Sequence, residues 1–503
     1  MKGFSILKKN VPFFILIVLA IFTRFLFLSS PAEVVFDEVH FGKFVSAYLS
    51  GEYYFDIHPP LGKLMIAGFY KIFGHDLLIN SEQIFEKIGE SFSAQSLFIL
   101  RFLPALFGTL LVILIYKFIL ALGLSKKFAL LGGFLILLEN AFLVESKFIL
   151  TDIFLIFFGF LSLYFFVLAN PINTRSNSQG RLSTGRKNAR SPACPVHENS
   201  QKVHRISYSL LAGIFAGLSF SVKWTGLSFL GIILFFSFVA VLQNFGFKKF
   251  FKRGGLLSFG KKFVFFIVVS LSVYLLIFFV HFKLLPKSGP GDAFMSREFQ
   301  LTLEENKISP VEGEKSLRFG KKFIELNKTM YTASANLEAT HPSASRWYQW
   351  PVMKKPIWYW SKNADKKAAN IQLFGNPLIW WLICICVPFG LFSLLVKKIR
   401  RKILPQFNFL IFGFLINLLP FISIERVTFL YHYLPSLIFG ILILLLLLEK
   451  IPQAYQFNLS PKFLIGFLFL VLITFVAFTP LSYGFFLTEE INSHYLKIIN
   501  FFN

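Results

Sequence analysis

Residues 36–63 read FDEVHFGKFVSAYLSGEYYFDIHPPLGK and follow directly on the first hydrophobic run of the chain, at 11–28. The stretch places Asp37, Glu38, His40, Asp56 and His58 beside the exit of a membrane span. Polar groups crowded at a membrane face are costly to keep and mark a working site. The rest of the reading asks whether other segments bring polar groups to the same face.

Composition sets the class. The 503 residues are 55% apolar and only 15% charged, with 69 Phe and a mean hydropathy of +0.64, which excludes an ordinary soluble domain. Apolar runs of about 17–23 residues read as transmembrane helices. Such runs fall at 11–28, 97–121, 127–143, 148–169, 207–222, 225–243, 262–282, 377–396, 407–423, 434–449 and 463–480. The expected fold class is an all-α polytopic membrane protein with about 11 transmembrane helices. The run at 11–28 lacks a small-residue cleavage site and is expected to remain as the first span.

The net charge of +25 is not spread evenly. Basic residues gather in alternate loops: Lys2 to Lys9, Lys126–Lys127, Arg175 to Arg205, Lys248 to Lys262, Lys397 to Lys402, and Lys450 with Lys462. That alternation is the positive-inside pattern. It sets the N-terminus in the cytoplasm and argues against nucleic acid as a partner. Cys194 lies in a basic loop, while Cys384 and Cys386 sit two apart in one hydrophobic run, so no external disulfide and no metal spacing is expected.

This topology divides the chain into three parts. Residues 1–282 form an N-terminal membrane catalytic region, with a first external loop at 29–95 and a cytoplasmic loop at 171–205 expected to be disordered. Residues 283–376 form an external segment with interfacial helices, and 377–503 a C-terminal transmembrane region. Nearly every unusual polar group falls on the external side. Asp37, Glu38, Asp56 and His58 lie in the first loop, and Arg101 at the start of the second span. Asn140, Ser146, Lys147 and Asp152 lie at the third turn, Lys223 and Trp224 at the fifth-to-sixth turn, and Arg426 and His432 at the ninth-to-tenth.

Three readings stand for Asp37–Glu38. Adjacent carboxylates in a desolvated cleft can separate in pKa, leaving one as a base for an incoming hydroxyl. The same pair can cap a helix starting near Val39, or supply hard oxygen ligands to a divalent metal. Arg101, Lys223 and Arg426 can bind an anion together and stabilise a departing phosphate, or can each snorkel to headgroups. His58-Pro59-Pro60 is a stiff extended element whose His can orient a sugar or phosphate, or cap a turn. The loop Ser288-Gly289-Pro290-Gly291-Asp292 carries turn chemistry that lets backbone approach a ligand. The run SRWYQWPVMKKPIWYW at 345–360 is read first as an interfacial aromatic belt, with sugar stacking on Trp347, Trp350 or Trp358 as the second reading.

Taken in order, FDEVHFG, YFDIHPPLGK, LRFLPALFG, ENAFLVESKFILTD, SVKWTGL, VHFKLLPKSGPGDAFMSREFQ, SRWYQWP, LFGNPLIWW and ERVTFLYHYLPSL resemble the protein O-mannosyltransferases. These are membrane enzymes of the GT-C glycosyltransferase class. The resemblance implies a GT-C fold with catalytic loops on the extracytoplasmic face. It implies transfer of mannose from a polyprenyl-phosphate mannose donor to Ser or Thr hydroxyls of proteins, with inversion. Asp37 takes the place of the catalytic base and Glu38 its neighbour in the pair. Arg101 and Lys223 match positions near the donor phosphate, with Arg426 and His432 in the late motif. Asp56, His58, Lys147, Asp152, Trp224, Asp292 and His341 complete the candidate substrate-binding set. No metal or other cofactor is required in principle, although a divalent metal at the acidic pair stays open. Lys147 stands where the family carries Arg, which keeps the charge but loses the planar fork.

No room for the external β-trefoil of eukaryotic members lies between Asp292 and His341, which points to a compact bacterial-type member. An undecaprenyl-type carrier in the inner membrane follows from that. Expected partners are the lipid-linked sugar, a secreted or membrane polypeptide acceptor, the bilayer and a link to the secretion translocon. The rival readings are a GT-C enzyme with a lipid or polysaccharide acceptor, and a transporter or flippase. The last would predict inverted repeats and mid-bilayer charges.

Overall fold

A computed structural model describes residues 2–74, 85–172, 195–251, 253–309 and 316–502. The N-terminal half runs α1 (Lys2–Phe25), α2 (Glu38–Ser50), α3 (Leu61–Phe73), α4 (Ala94–Ala121), α5 (Lys126–Leu137), α6 (Asn140–Glu145), α7 (Asp152–Ala169), α8 (Pro195–Val222) and α9 (Leu227–Phe245). It continues with α10 (Phe247–Phe250), α11 (Arg253–Leu284), α12 (Arg297–Gln300) and α13 (Phe319–Ala335). After strands β1 (Ile357–Ala364) and β2 (Lys367–Leu373) come α14 (Pro377–Ser393), α15 (Lys397–Ile416), α16 (Leu434–Ala454) and α17 (Pro461–Tyr483). A short β3 (Leu487–Thr488) and α18 (Glu489–Phe502) close the chain.

All eleven apolar runs fall on helices. Among the described residues, eight helical segments are long and apolar enough to cross a membrane, and two shorter apolar helices cover Val11–Phe25 and Pro377–Ser393. The molecule is an integral, multi-pass membrane protein. The segment around α16 is 83% buried and runs through the middle of the bundle, whereas α17 is 17% buried and presents its apolar side chains outward. Such an all-round apolar helix is stable only where lipid, not water, covers it.

The expected span at 127–143 is divided, and Glu139 is the reason. Its carboxylate is fully buried and accepts from the Phe142 amide at 3.0 Å, the Asn376 amide at 2.7 Å and the Trp380 indole at 2.8 Å. These bonds stop α5 and restart the chain as α6, while tying both to the head of α14. The carbonyls freed at the end of α5 are met by buried Arg24, which donates to Ile136 at 3.1 Å and Leu137 at 3.0 Å. A helix end in an apolar setting needs such partners.

The elaborated end of the bundle is built from segments 29–74, 285–309, 316–376 and 425–433. Extended backbone pairs Gly51–Tyr53 with Lys287: Lys287 donates to the Gly51 carbonyl at 3.0 Å and Tyr53 to that of Lys287 at 2.9 Å. The SGPGD loop explains itself here. A Cβ on Gly289 would stand 2.5 Å from the Tyr53 carbonyl oxygen, and one on Gly291 2.4 Å from the Tyr54 carbonyl carbon. The glycines are there so that one backbone can lie on another.

Two expectations need correction. Segment 283–376 carries helices α12 and α13 but ends in an antiparallel hairpin, with β1 pairing β2 and β2 pairing β3. The aromatic run at 345–360 supplies β1. Trp350, Tyr359 and Trp360 from that run are buried and pack the interior, whereas Tyr348 and Trp358 stay exposed, so only part of the run is left for a belt. In the segment 171–205, helix α8 already begins at Pro195; residues 173–194 lie outside the described residues.

The interaction that fixes this end is a fully buried ion pair. Arg101 on α4 donates Nε to Glu38 Oε1 and an Nη to Oε2, both at 2.8 Å. Its other donors reach the carbonyls of Leu28 at 3.3 Å, Pro31 at 2.9 Å and Glu33 at 2.9 Å. Glu38 also accepts from the amides of Val35 and Ile149, each at 2.9 Å. One pair therefore joins the end of α1, the head of α2, α4 and the turn before α7. Removing one partner of a buried pair strands the other charge and costs about 3–5 kcal/mol. Glu38→Ala should lower the melting temperature in detergent by several degrees, and Glu38→Gln with Arg101→Met should be less unstable than Glu38→Ala alone. Unchanged melting of Glu38→Ala contradicts the anchor.

Candidate active site

A cleft of about 690 Å³ opens at the elaborated end. Its walls come from the head of α7, the 3₁₀ turn Trp224–Gly226, the end of α13 and the segment 416–435, and they include Asp152, Trp224, Asn417, Arg426, Tyr431 and His432. Local sequence puts each group there. Lys223 takes an extended conformation (φ −147°, ψ 146°), which ends α8 and turns its side chain off the helix. Gly226 then lets the chain fold back, because a Cβ would stand 2.6 Å from the Ser219 carbonyl carbon. Lys223 Nζ donates to Asp152 Oδ2 at 2.7 Å and lies 5.0 Å from the Tyr431 ring centre.

Asp37 does not line this cleft, but lies near enough to Lys223 and Asp152 for both charges to act on its carboxyl. It occupies the N-cap of α2, yet its side chain makes no capping bond. Burial pushes its carboxyl up to about 6; Lys223 and His40 pull it back, and Asp152 and Asp56 push it further up. Arg426 lines the cleft with its guanidinium pushed down by burial, and among the described residues it has no carboxylate partner. The His432 ring is clamped between Trp350 at 5.8 Å and Tyr431 at 4.6 Å. Its Nδ1 sits 2.9 Å from the Phe429 carbonyl oxygen, so a ligand contact is left to Nε2.

The HPPLGK motif forms the neighbouring wall. Lys63 makes a buried ion pair with Asp56 and donates to the His58 carbonyl at 2.9 Å. Asp56 is thereby matched inside its own loop. His58 is pushed well down by burial, with Lys223, Lys63 and Arg426 adding to the effect, and is neutral at physiological pH.

The structure therefore brings together Asp37, Asp152, Lys223, Trp224, Arg426 and His432, with Asp56 and His58 alongside. Five expected site residues are committed to structural contacts. All five N–H donors of Arg101 are engaged inside the protein, so none remains for a phosphate. Glu38 is saturated by four donors and cannot share chemistry with Asp37. A divalent metal at the acidic pair does not fit, since one of its two carboxylates is fully committed. Lys147 is buried, donating to the Leu26 carbonyl at 2.5 Å and lying 4.6 Å from the Tyr483 ring centre. Asp292 folds back on its own loop, accepting from the Ser288 hydroxyl and the Gly289 amide. His341 packs edge-on to Phe36 and Phe429 and accepts from the Ser343 amide at 3.1 Å.

Four participants were not singled out from sequence: Lys63, Glu145, Tyr359 and Tyr431. The first, second and fourth lie inside quoted motifs, and a lysine seven residues after an aspartate in a Pro-Pro loop could have been read as its counter-ion. Tyr359 gave no signal, because one tyrosine within an aromatic run is indistinguishable from its neighbours.

Comparison with known proteins adds the following. The family model described as dolichyl-phosphate-mannose-protein mannosyltransferase matches residues 14–186 and 196–286. That of the C-terminal four-span region of protein O-mannosyltransferase matches 319–500. Protein O-mannosyltransferase 1 of Drosophila melanogaster is 27% identical over 73% of this chain and 37% of its own length. Dolichyl-phosphate-mannose–protein mannosyltransferase 1 of Saccharomyces cerevisiae is 34% identical over 58% of this chain and 32% of its own length. The chain thus spans about a third of the length of the curated relatives it matches. Among solved structures, the S. cerevisiae Pmt1-Pmt2 complex bound to the sugar donor superposes with a TM-score of 0.79 at 22% identity, covering 97% of this chain and 92% of that one. The Archaeoglobus fulgidus oligosaccharyltransferase AglB, with an inhibitory peptide and a dolichol-phosphate, gives 0.52 at 15% identity, covering 96% and 57%.

Burial of Lys147 has a measurable consequence. Its ammonium is pushed down to about 7 by burial, with Arg101 and Arg24 adding to the effect. Between pH 7 and the ordinary lysine value the unfolded chain holds a proton that the native state lacks, so native stability rises with pH across that window. The melting temperature should climb from pH 7 to pH 10, and Lys147→Met should flatten that climb. An equal slope in the variant contradicts a neutral buried lysine.

Proposed function

The chain belongs to the dolichyl-phosphate-mannose-protein mannosyltransferase family, and from that premise we propose that it transfers mannose from a polyprenyl-phosphate donor to Ser or Thr hydroxyls of proteins. The observation that carries this reading is the uncapped Asp37 carboxylate under the charge of Lys223, next to a cleft whose Arg426 has no carboxylate partner among the described residues. The GT-C fold and the yeast complex with its sugar donor support a lipid-linked substrate. The active cleft faces the extracytoplasmic side, the N-terminus lies in the cytoplasm, and the carrier is a bacterial polyprenol in the cell membrane. A polypeptide emerging from the secretion translocon is the natural acceptor.

The reaction is a single displacement with inversion. The acceptor hydroxyl oxygen attacks the anomeric carbon of mannose and its proton passes to Asp37. The bond from that carbon to the phosphate oxygen breaks, and the electron pair leaves on the lipid phosphate. With its carboxyl near 6, Asp37 is ionised at neutral pH yet basic enough to take a proton. Arg426 offers a planar fork to the phosphate, and Lys223, over the Tyr431 ring, adds a point charge. The charge that grows on the leaving group is met by cations already in place. No metal is needed for these steps.

Asp37→Asn should lower kcat at least about 100-fold, in the range of a lost general base, with donor affinity within threefold; normal turnover in membranes supplied with labelled polyprenyl-phosphate mannose rejects the base. Label in protein rather than lipid or polysaccharide fractions identifies the acceptor class. The acid limb of kcat should have its midpoint near pH 6. Lys223→Met removes the strongest group pulling Asp37 down, so its midpoint should move up; a midpoint that stays put excludes Lys223 as that neighbour. Arg426→Ala should weaken donor binding about tenfold, the loss of one charge-assisted contact; unchanged donor affinity removes Arg426 from the phosphate site.

A further inference from the structure

We propose that Tyr359, on strand β1, is a positioning residue for Asp37, and that buried Glu145 at the end of α6 holds Tyr359 in register. The inference rests on the reading of Asp37 as the base.

Asp37 has no capping bond of its own, so its place is set through its neighbours. On one side Glu38 is fixed by Arg101 and the Ile149 amide. On the other side is Phe36, in the left-handed region with φ 42°, which a bulky residue adopts only when its surroundings enforce it. Tyr359 supplies that enforcement twice. Its carbonyl accepts from the Phe36 amide at 3.0 Å, and its ring stacks on the Phe36 ring at 4.4 Å with 15° between the planes. Tyr359 is fully buried, and its hydroxyl donates to Glu145 Oε1 at 2.7 Å. Among the described residues Glu145 Oε2 has no hydrogen-bond partner, so the contact with Tyr359 is the one polar tie this buried carboxyl makes. The hairpin thus connects the α6 terminus to the residue before the base. That gives a role to the strand that interrupts an otherwise helical chain.

A residue acting through Asp37 should change turnover and leave the binding of donor untouched. The test uses the full-length enzyme in nanodiscs with polyprenyl-phosphate mannose and a Ser/Thr peptide. Tyr359→Ala should lower kcat at least tenfold with donor KM within twofold. Tyr359→Phe, which keeps the ring stack and the backbone bond but loses the tie to Glu145, should lose fivefold or more in kcat, less than Tyr359→Ala. Glu145→Gln, which can still accept from the hydroxyl, should stay within threefold of wild type, whereas Glu145→Ala should lose fivefold or more in kcat. The Glu145 pair carries the test if Tyr359→Ala does not fold. Unchanged kcat in Tyr359→Ala, a loss seen equally in donor KM, or no difference between Glu145→Gln and Glu145→Ala overturns the proposal. Asp37→Asn separates the two levels: if it is inactive while Tyr359→Ala turns over normally, only this inference falls, and if it is active the base itself is wrong.

Discussion

The Arg101–Glu38 pair is the constraint on which the elaborated end depends. Both side chains are wholly buried, where two charges hold together only if every remaining donor and acceptor is met. Here they are. The guanidinium reaches three carbonyls between Leu28 and Glu33, and the carboxylate reaches two amides. A charge that would be ruinous alone becomes a clamp on the chain leaving α1. Asp37 is the residue beside that clamp, and its side chain makes no capping bond, while Glu38 accepts from four donors. The adjacent acids are a division of labour: one is consumed by structure so that the other can be held free.

The same logic recurs at Glu139. Its buried carboxylate closes the break between α5 and α6 and receives the amide and indole donors of the LFGNPLIWW segment. Arg24 caps the carbonyls that the break leaves open. In a bilayer no water would serve these groups, so an interrupted span can exist only where protein replaces the missing bonds. The interruption has a use. It brings α6, and with it Glu145, up to the hairpin and leaves the head of α7 at the cleft, where Asp152 meets Lys223.

Much of the fold was legible in sequence. Hydrophobic period and length located the helices, because a lipid-facing helix must be apolar all round. Polar residues at one set of turns pointed to one end of the bundle, and Asp152, Trp224, Arg426 and His432 do line one cleft there, with Lys223 on Asp152. What sequence could not give was which charges are partners. Arg101 and Lys223 look alike as cations near span ends, yet one is locked onto Glu38 and the other stands on Asp152 beside the cleft. That distinction depends on contacts across 63 and 71 residues of chain. Lys147 and Asp292 were misplaced for a related reason: each is satisfied by local backbone, which polarity alone does not reveal. The hairpin was missed because aromatic residues suit an interfacial helix, a belt and a strand alike.

The direct test is a cryo-electron microscopy map of the protein with a polyprenyl phosphate bound. The account predicts phosphate density against Arg426, with Lys223 within reach and Arg101 still on Glu38. Phosphate density against Arg101, with Glu38 displaced, would contradict it.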